Sequence, residues 1–196
     1  MNAIDYYFTP LSPFTYLAGL ELEAIAARHG ATISYKPFNL MDIGKETGFV
    51  PVPQRHKSRQ TYRMQELRRI AAFRKLPITL KPAHWPSNPV PAATAIIAAQ
   101  EAGGGDLGLL VHAIMRSCWA EEKDFAEDAV IAACLAEAGF DPALAGANML
   151  KGAETYQRFS DEALAAGVFG SPFYVVGDEK FWGQDRLAYL DRYLGA

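Results

Sequence analysis

The sequence predicts an α/β fold in which a small β-sheet is interrupted by a long, all-helical segment. β-prone aromatic runs lie near both ends of the 196-residue chain, whereas most of its middle has helical periodicity. Hydrophobic residues make up 50% of the sequence, so a chain of this length can bury a substantial core.

The N-terminal segment has the pattern strand–helix–strand. Residues 3–8, AIDYYF, are rich in β-prone aromatics, and residues 31–38, ATISYKPF, form a second β-prone run. Between them, apolar residues recur at helical spacing from Pro13 to His29, and Gly30 stands where a helix would end. This order predicts two parallel strands joined by a right-handed helical crossover.

The middle of the chain is predicted to start as a loop and to continue as helices. Residues 39–54 contain several glycines and prolines, which predict a loop. Asp106 and Asp124 stand at expected helix N-caps, and Gly103 and Gly139 at expected helix ends. Helical patterns cover about residues 54–75, 91–103, 107–122, 126–138 and 153–166.

The C-terminal end returns to β structure. Residues 171–183 read as a hairpin around Gly177-Asp178, and residues 184–194 read as a final amphipathic helix. Without the helical segment the order is βαβ–ββα, which is the arrangement of the thioredoxin core. We therefore expect a thioredoxin-like domain formed by residues 1–38 and 168–196, with residues 39–167 as an inserted helical domain.

Composition narrows the class of protein. The N-terminus lacks the basic start and apolar run of a signal peptide, and no apolar segment reaches the roughly 18 residues of a membrane span. Cys118 and Cys134 lie in helical patterns and are not in Cys-x-x-Cys spacing, which favours buried thiols in a reducing compartment. We therefore expect a cytoplasmic protein.

The charge is distributed unevenly. The net charge is −3, but residues 55–75 hold eight Lys or Arg and one Glu, so that window is +7 and the rest of the chain −10. Such a window is either a solvated helix face or a surface that attracts an anionic small molecule. The acidic balance of the whole chain argues against nucleic-acid binding.

Ser12 and Pro13 lie where the first strand meets the first helix. Serine is a favoured N-cap and proline a favoured first helical residue, so an ordinary cap explains both. The turn also follows the carboxyl end of a strand and a helix start there presents free N–H groups, which suits an anion. Ser12 is a poor candidate for a covalent nucleophile, because the four histidines are scattered with no triad pattern.

Two further segments could bind a ligand. Ser171-Pro172 precedes a strand after a glycine turn, so Pro172 is either a cis-proline that exposes the backbone of residue 171 or a proline at an edge strand. Gln184 and Asp185 follow Gly183 at the start of the last helix. They either cap that helix or receive an ammonium and a carboxylate of a ligand.

These segments resemble a known family. "DYYFTPLSPFTYLAG", "GVFGSPFYVVGDEKFWGQDRL" and the helical insertion are similar to 2-hydroxychromene-2-carboxylate isomerases, relatives of kappa-class glutathione transferases and periplasmic disulfide oxidoreductases. The resemblance implies that glutathione is the cofactor, with no metal, and that the Ser12 hydroxyl binds its thiolate. It also implies that Ser171, beside Pro172, pairs with the glutathione backbone, that Gln184 and Asp185 hold its γ-glutamyl end, and that the protein is a homodimer.

The resemblance is weaker in the middle of the chain. Relatives carry an asparagine in a Gly-Asn-x-Pro stretch where this chain has Phe49, and the ligand-contacting lysine that follows corresponds to Lys57 or Arg59. Lys57, Arg59 or Arg63 would hold a carboxylate of the substrate or of glutathione. Phe49 at the asparagine position implies a substrate pocket that differs from that of the relatives.

Three functions are therefore open at this point. The resemblance implies a glutathione-dependent isomerase whose thiolate adds reversibly to an unsaturated aromatic acid. A kappa-like glutathione transferase or peroxidase is the second hypothesis. The third is a redox-inactive thioredoxin-fold protein that binds extended peptide beside Pro172. The absence of Cys-x-x-Cys argues against a disulfide oxidoreductase.

Overall fold

The computed structural model describes residues 3–196, which form a four-stranded mixed sheet surrounded by helices. The strands are β1 (Ala3–Phe8), β2 (Thr32–Pro37), β3 (Phe173–Val176) and β4 (Glu179–Trp182), in the order β2-β1-β3-β4. β1 runs parallel to β2 and antiparallel to β3, and β3 and β4 form the predicted hairpin. The predicted α/β fold with its thioredoxin-like core is confirmed.

Nine α-helices complete the described chain. The first two, α1 and α2, lie between β1 and β2, the last follows β4, and the other six form the helical segment. Their bounds are α1 (Pro13–Tyr16), α2 (Glu21–His29), α3 (Leu40–Thr47), α4 (Lys57–Arg74), α5 (Val90–Ala102), α6 (Leu107–Trp119), α7 (Asp128–Glu137), α8 (Met149–Ala165) and α9 (Leu187–Leu194).

The expected single helix from Pro13 to His29 is wrong, because two helices occupy that stretch. α1 is one turn long, and α2 begins at Glu21. Gly19 lies between them with a φ of 62°, a left-handed conformation that a right-handed helix cannot contain. The apolar stripe predicted the buried face of both helices, since Leu17, Leu22 and Ile25 are buried, but it did not reveal the break.

The expected loop at residues 39–54 is also wrong over its first half, which is α3. Asn39 caps this helix by accepting a hydrogen bond from the Met41 N–H at 3.1 Å. Gly44 lies inside the helix, where an added Cβ would be 3.3 Å from the Phe49 ring. Gly44 therefore allows close packing, and it is Gly48, with a φ of 74°, that ends the helix.

One of the predicted helix starts is confirmed, and two others, those of α7 and α9, differ from expectation. Asp106 caps α6 as predicted, accepting from the Leu109 N–H at 2.9 Å. Asp124 is not the cap of α7: its carboxylate accepts from the Ala126 N–H, and the helix begins at Asp128. The final helix starts three residues late, because residues 184–186 form a 3₁₀ turn before α9.

The sheet and the helical segment share one hydrophobic core. Tyr6 of β1 stacks on Phe8 at 4.7 Å and on Tyr174 of β3 at 5.2 Å between ring centroids. The same buried cluster continues into the helical segment through residues such as Leu110 and Ile131. In the described chain no helix is long and apolar enough to cross a membrane.

We propose that the two predicted domains are not independently stable units. They describe the path of the chain, with residues 1–38 and 168–196 in one and residues 39–167 in the other. Since one core joins them, we expect a single cooperative transition in urea. Far-ultraviolet circular dichroism would follow the helices, and tryptophan fluorescence would follow Trp85 and Trp119 of the helical segment together with Trp182 of β4. Two separated midpoints would contradict this expectation.

Candidate functional site

Ser12 caps α1 at the carboxyl end of β1. Its N–H donates to the Thr9 carbonyl at 3.1 Å, and its Oγ accepts from the Thr15 N–H at 3.3 Å. Pro13 takes the first helical position as expected. The Phe14 N–H makes no hydrogen bond within residues 3–196, so the turn retains one free donor. The capping interpretation of Ser12 is therefore correct, and it leaves room for a second role.

The Ser12 hydroxyl also joins the two ends of the chain. It donates to the main-chain carbonyl of Ser171 at 3.1 Å, a residue 159 positions away in sequence. The Ser171–Pro172 peptide bond is cis, as the first of the two interpretations anticipated. The Ser171 N–H makes no hydrogen bond among the described residues. The main chain of Ser171 therefore presents a free donor next to a carbonyl that Ser12 occupies.

The Ser171 side chain fixes the position of its own loop through hydrogen bonds to Thr9 and Thr15. Its Oγ accepts from the Thr9 N–H at 2.9 Å and lies 2.8 Å from Thr15 Oγ1. Thr15 is fully buried. Thr15 occupies the outer position of the four-residue motif opposite Ser12, but it faces the protein interior and supports the Ser171 loop.

Two tryptophans from the helical segment hold the turn before Ser12. The indole N–H of Trp85 donates to the Leu11 carbonyl at 3.0 Å, and that of Trp119 donates to the Pro10 carbonyl at 3.3 Å. The two indoles also pack against each other, with centroids 5.8 Å apart. Sequence reasoning missed both residues, because the proline-rich stretch that carries Trp85 gave no sign of its long-range partner.

Gln184 and Asp185 lie on the other side of the cis-proline. The Gly183 N–H donates to the Pro172 carbonyl at 2.9 Å, which brings the two segments together. Gln184 is only 8% exposed, yet its side-chain amide makes no hydrogen bond in the part of the chain that the structure covers. Asp185 is exposed and pairs with Arg186 at 2.5 Å. Neither side chain caps a helix.

A cleft of about 640 Å³ runs between the start of α4 and these loops. Of the predicted site residues, Arg59, Ser171, Gln184 and Asp185 line it. Ser12 and the buried Pro172 are not part of the lining, but the Ser12 hydroxyl contacts the carbonyl of Ser171, which is. Lys57 is exposed and is not part of the lining, so the structure favours Arg59 over Lys57 as the basic residue nearest the cleft.

The walls of the cleft combine positive charge with aromatic surface. Arg55 and Arg63 join Arg59 on one wall, and Phe14, Tyr62 and Trp182 supply aromatic rings. Trp182 lies over the glycine that precedes Ser171: a Cβ on Gly170 would be 2.2 Å from the indole nitrogen. A planar apolar anion matches this lining better than a neutral polar molecule does.

Neither histidines nor cysteines provide covalent chemistry here. Among the described residues no histidine hydrogen-bonds Ser12; His112, for example, stacks on Tyr16, and burial lowers its pKa. Cys118 and Cys134 are buried free thiols, as expected. Burial raises the pKa of the Cys118 thiol to about 12 and that of Cys134 to about 11, which keeps both protonated and unreactive.

The chain is similar to known proteins over nearly its whole length. The chain is 30% identical to a 2-hydroxychromene-2-carboxylate isomerase of Sphingobium xenophagum over 98% of both chains. It superposes on the solved structure of a 2-hydroxychromene-2-carboxylate isomerase with a TM-score of 0.78 and 25% identity, covering 98% of this chain and 94% of that one. It also matches glutathione S-transferase kappa 1 of Caenorhabditis elegans at 36% identity, over 40% of this chain and 35% of that protein.

These findings confirm the resemblance that the sequence motifs indicated. The model of the DSBA-like thioredoxin domain matches residues 3–195, which is nearly the whole chain. The match includes both ends of the chain and the helical insertion between them. The chain belongs to the DSBA-like thioredoxin domain family.

Proposed function

We propose that this protein is a glutathione-dependent isomerase of unsaturated aromatic carboxylic acids, of the 2-hydroxychromene-2-carboxylate isomerase type. The isomerase part follows from relatives of that name that align over nearly the full chain. The observation that supports the glutathione part is the Ser12 hydroxyl on the Ser171 carbonyl, beside the free Ser171 N–H. This pair is arranged to receive the backbone of a small thiol peptide.

Glutathione fits the unsatisfied groups of the cleft. An extended cysteinyl residue beside Ser171 would accept from its free N–H and donate to its carbonyl, as an added strand does. Its N–H would then replace the Ser12 hydroxyl on that carbonyl. Ser12 would be released to donate to the thiolate instead. Binding and activation are coupled in this proposal, because one ligand group frees the hydroxyl that the sulfur needs.

The two ends of glutathione have separate partners. The Gln184 amide, which has no protein partner among the described residues, would hold the γ-glutamyl carboxylate, and the exposed Asp185 carboxylate its ammonium. Arg59, with Lys57 nearby on the same helix, would hold the glycine carboxylate. These assignments place the sulfur at the Ser12 end of the cleft and the γ-glutamyl group at the α9 end.

Ser12 would supply most of the thiolate stabilisation. A cysteine thiol has an ordinary pKa of about 8.5, and hydrogen bonds to the charged form lower it. α1 is only one turn long, so its dipole contributes less than the long helix expected from sequence would. The Ser12 hydroxyl and the free Phe14 N–H remain as the donors. Bound glutathione would supply a nucleophile that adds reversibly to an unsaturated carbon and is released unchanged.

A serine at position 12 suits a recycled thiol. A cysteine there would form a mixed disulfide with glutathione under oxidising conditions, whereas a serine cannot. A kappa-like transferase or peroxidase is the second candidate, favoured by the partial match to a kappa-class transferase. The proposed isomerase and this second candidate differ in the fate of glutathione: a transferase consumes it, and an isomerase releases it unchanged. We also propose, from the resemblance, that the protein is a cytoplasmic homodimer.

The Ser12→Ala variant tests the proposed function. We expect the wild type to bind glutathione below millimolar Kd in calorimetry and to isomerise 2-hydroxychromene-2-carboxylate only when glutathione is present. Removing one donor to a developing anion costs on the order of 10²-fold in rate, so Ser12→Ala should lose about that much kcat. Ser58→Ala, an exposed serine in the same cleft, is the matched control.

The outcomes separate the hypotheses. No glutathione binding by the wild type would contradict both enzyme proposals and leave the peptide-binding hypothesis. Stoichiometric loss of glutathione during turnover would favour the transferase. Equal kcat for wild type and Ser12→Ala would leave Ser12 as a helix cap alone.

A second experiment tests the placement of the γ-glutamyl group. Gln184→Leu keeps the size of this nearly buried side chain and removes its amide. We expect glutathione to bind on the order of tenfold more weakly to this variant, as for a lost charge-assisted hydrogen bond, and cysteinylglycine to bind equally to both proteins. Calorimetry with the two thiols measures both. An equal loss for both thiols would contradict the placement and indicate general disruption of the loop.

A further inference from the structure

Three arginines line one wall of the cleft at intervals of four residues. Arg55 lies just before α4, and Arg59 and Arg63 lie within it, one turn apart. Like charges one turn apart on a helix, as Arg59 and Arg63 are, repel each other and destabilise the helix. Helix stability therefore does not explain why arginines occupy these positions.

None of the three arginines has a carboxylate partner among the described residues. Arg55 donates to the Val50 carbonyl at 2.6 Å, and its guanidinium lies 5.2 Å from the centroid of the Phe49 ring. The guanidinium of Arg63 lies 5.7 Å from the centroid of the Phe14 ring. The aromatic rings orient both guanidinium groups but leave their charges uncompensated.

Two other arginines of the same helix are paired, whereas Arg68 has no carboxylate partner among the described residues and is exposed to solvent. Arg69 donates to Glu66 at 2.6 Å, and Arg74 pairs with Glu21. Glu66 also lines the cleft, but Arg69 already holds its carboxylate. An exposed arginine such as Arg68 or Arg59 can leave its charge to solvent, so the missing counter-ion is informative at Arg55 and Arg63, which are partly buried.

Arg63 is the least solvated member of the row. Burial, and then the charge of Arg55, lower the pKa of its guanidinium to about 10, which still leaves it charged at neutral pH. A partly buried cation without a counter-ion is unfavourable, and a bound anion would remove that cost. Phe14, the aromatic partner of Arg63, lies two residues from Ser12 in the same turn. The uncompensated charge therefore lies near the reacting end of the cleft.

The following inference rests on the proposed function. In that proposal the charged groups of glutathione bind Arg59, Gln184 and Asp185, and no charged group is left for Arg63 or Arg55. We infer that Arg63, supported by Arg55, forms a subsite for the carboxylate of the aromatic substrate, separate from the groups that hold glutathione. The ring attached to that carboxylate would contact the aromatic side chains of the cleft, such as Phe14 and Trp182. Arg63 thereby determines specificity: it selects planar aromatic acids over neutral compounds of the same shape.

Calorimetry with two probes that lack an electrophilic double bond tests this inference. 2-Naphthoate and 2-naphthamide have the same ring and differ in charge. We expect the wild type, saturated with glutathione, to bind the carboxylate at least about tenfold more tightly, as is typical of a charge-assisted bidentate contact. Arg63→Met should reduce this preference to less than about twofold while leaving the Kd for glutathione within about twofold of the wild type.

The control is Arg68→Met, which removes the same charge from an exposed position of α4 outside the cleft. It should retain the preference, and circular dichroism should show both variants folded. A preference that persists in Arg63→Met, or a wild type that binds neither probe, would overturn the subsite. A wild type that prefers the carboxylate through Arg63 but binds no glutathione would support the subsite and contradict the proposed cofactor.

Discussion

The hydrogen bond from the Ser12 hydroxyl to the Ser171 carbonyl connects the two halves of the site. It joins the turn after β1 to the loop before β3. The antiparallel pairing of β1 with β3 brings these two segments side by side. The Ser171 hydroxyl supports the same contact from behind through Thr9 and Thr15. Everything that we propose about glutathione depends on this bond being exchangeable.

The helical insertion supports this site and supplies a positively charged wall to it. Trp85 and Trp119 hold the carbonyls just before Ser12, so the insertion fixes the turn that the sheet alone would leave open. Its first long helix, α4, supplies the arginine wall opposite Ser171. On the proposed function, the thioredoxin-like core would provide the thiol-binding surface, and the insertion would provide the environment for the aromatic substrate.

Local patterns predicted most of the fold but not the long-range contacts of the site. Aromatic alternation and the Gly177 turn were sufficient for the strands, because those signals are local. The break at Gly19 was missed, since the apolar stripe continues across it. Sequence motifs identified Ser12 and Gln184, but nothing local reveals that Trp85 bonds a carbonyl 74 residues away or that Arg63 lacks a carboxylate. Such facts depend on tertiary packing.

The ionisation of bound glutathione tests the central claim most directly. Ultraviolet thiolate absorbance, followed against pH, gives the pKa of the thiol in the complex. We predict a pKa below the ordinary value of about 8.5 in the wild type and a return toward that value in Ser12→Ala, because the hydroxyl donates only to the charged form. If the bound and free thiols titrate at the same pH in the wild type, Ser12 does not activate glutathione and the account is contradicted.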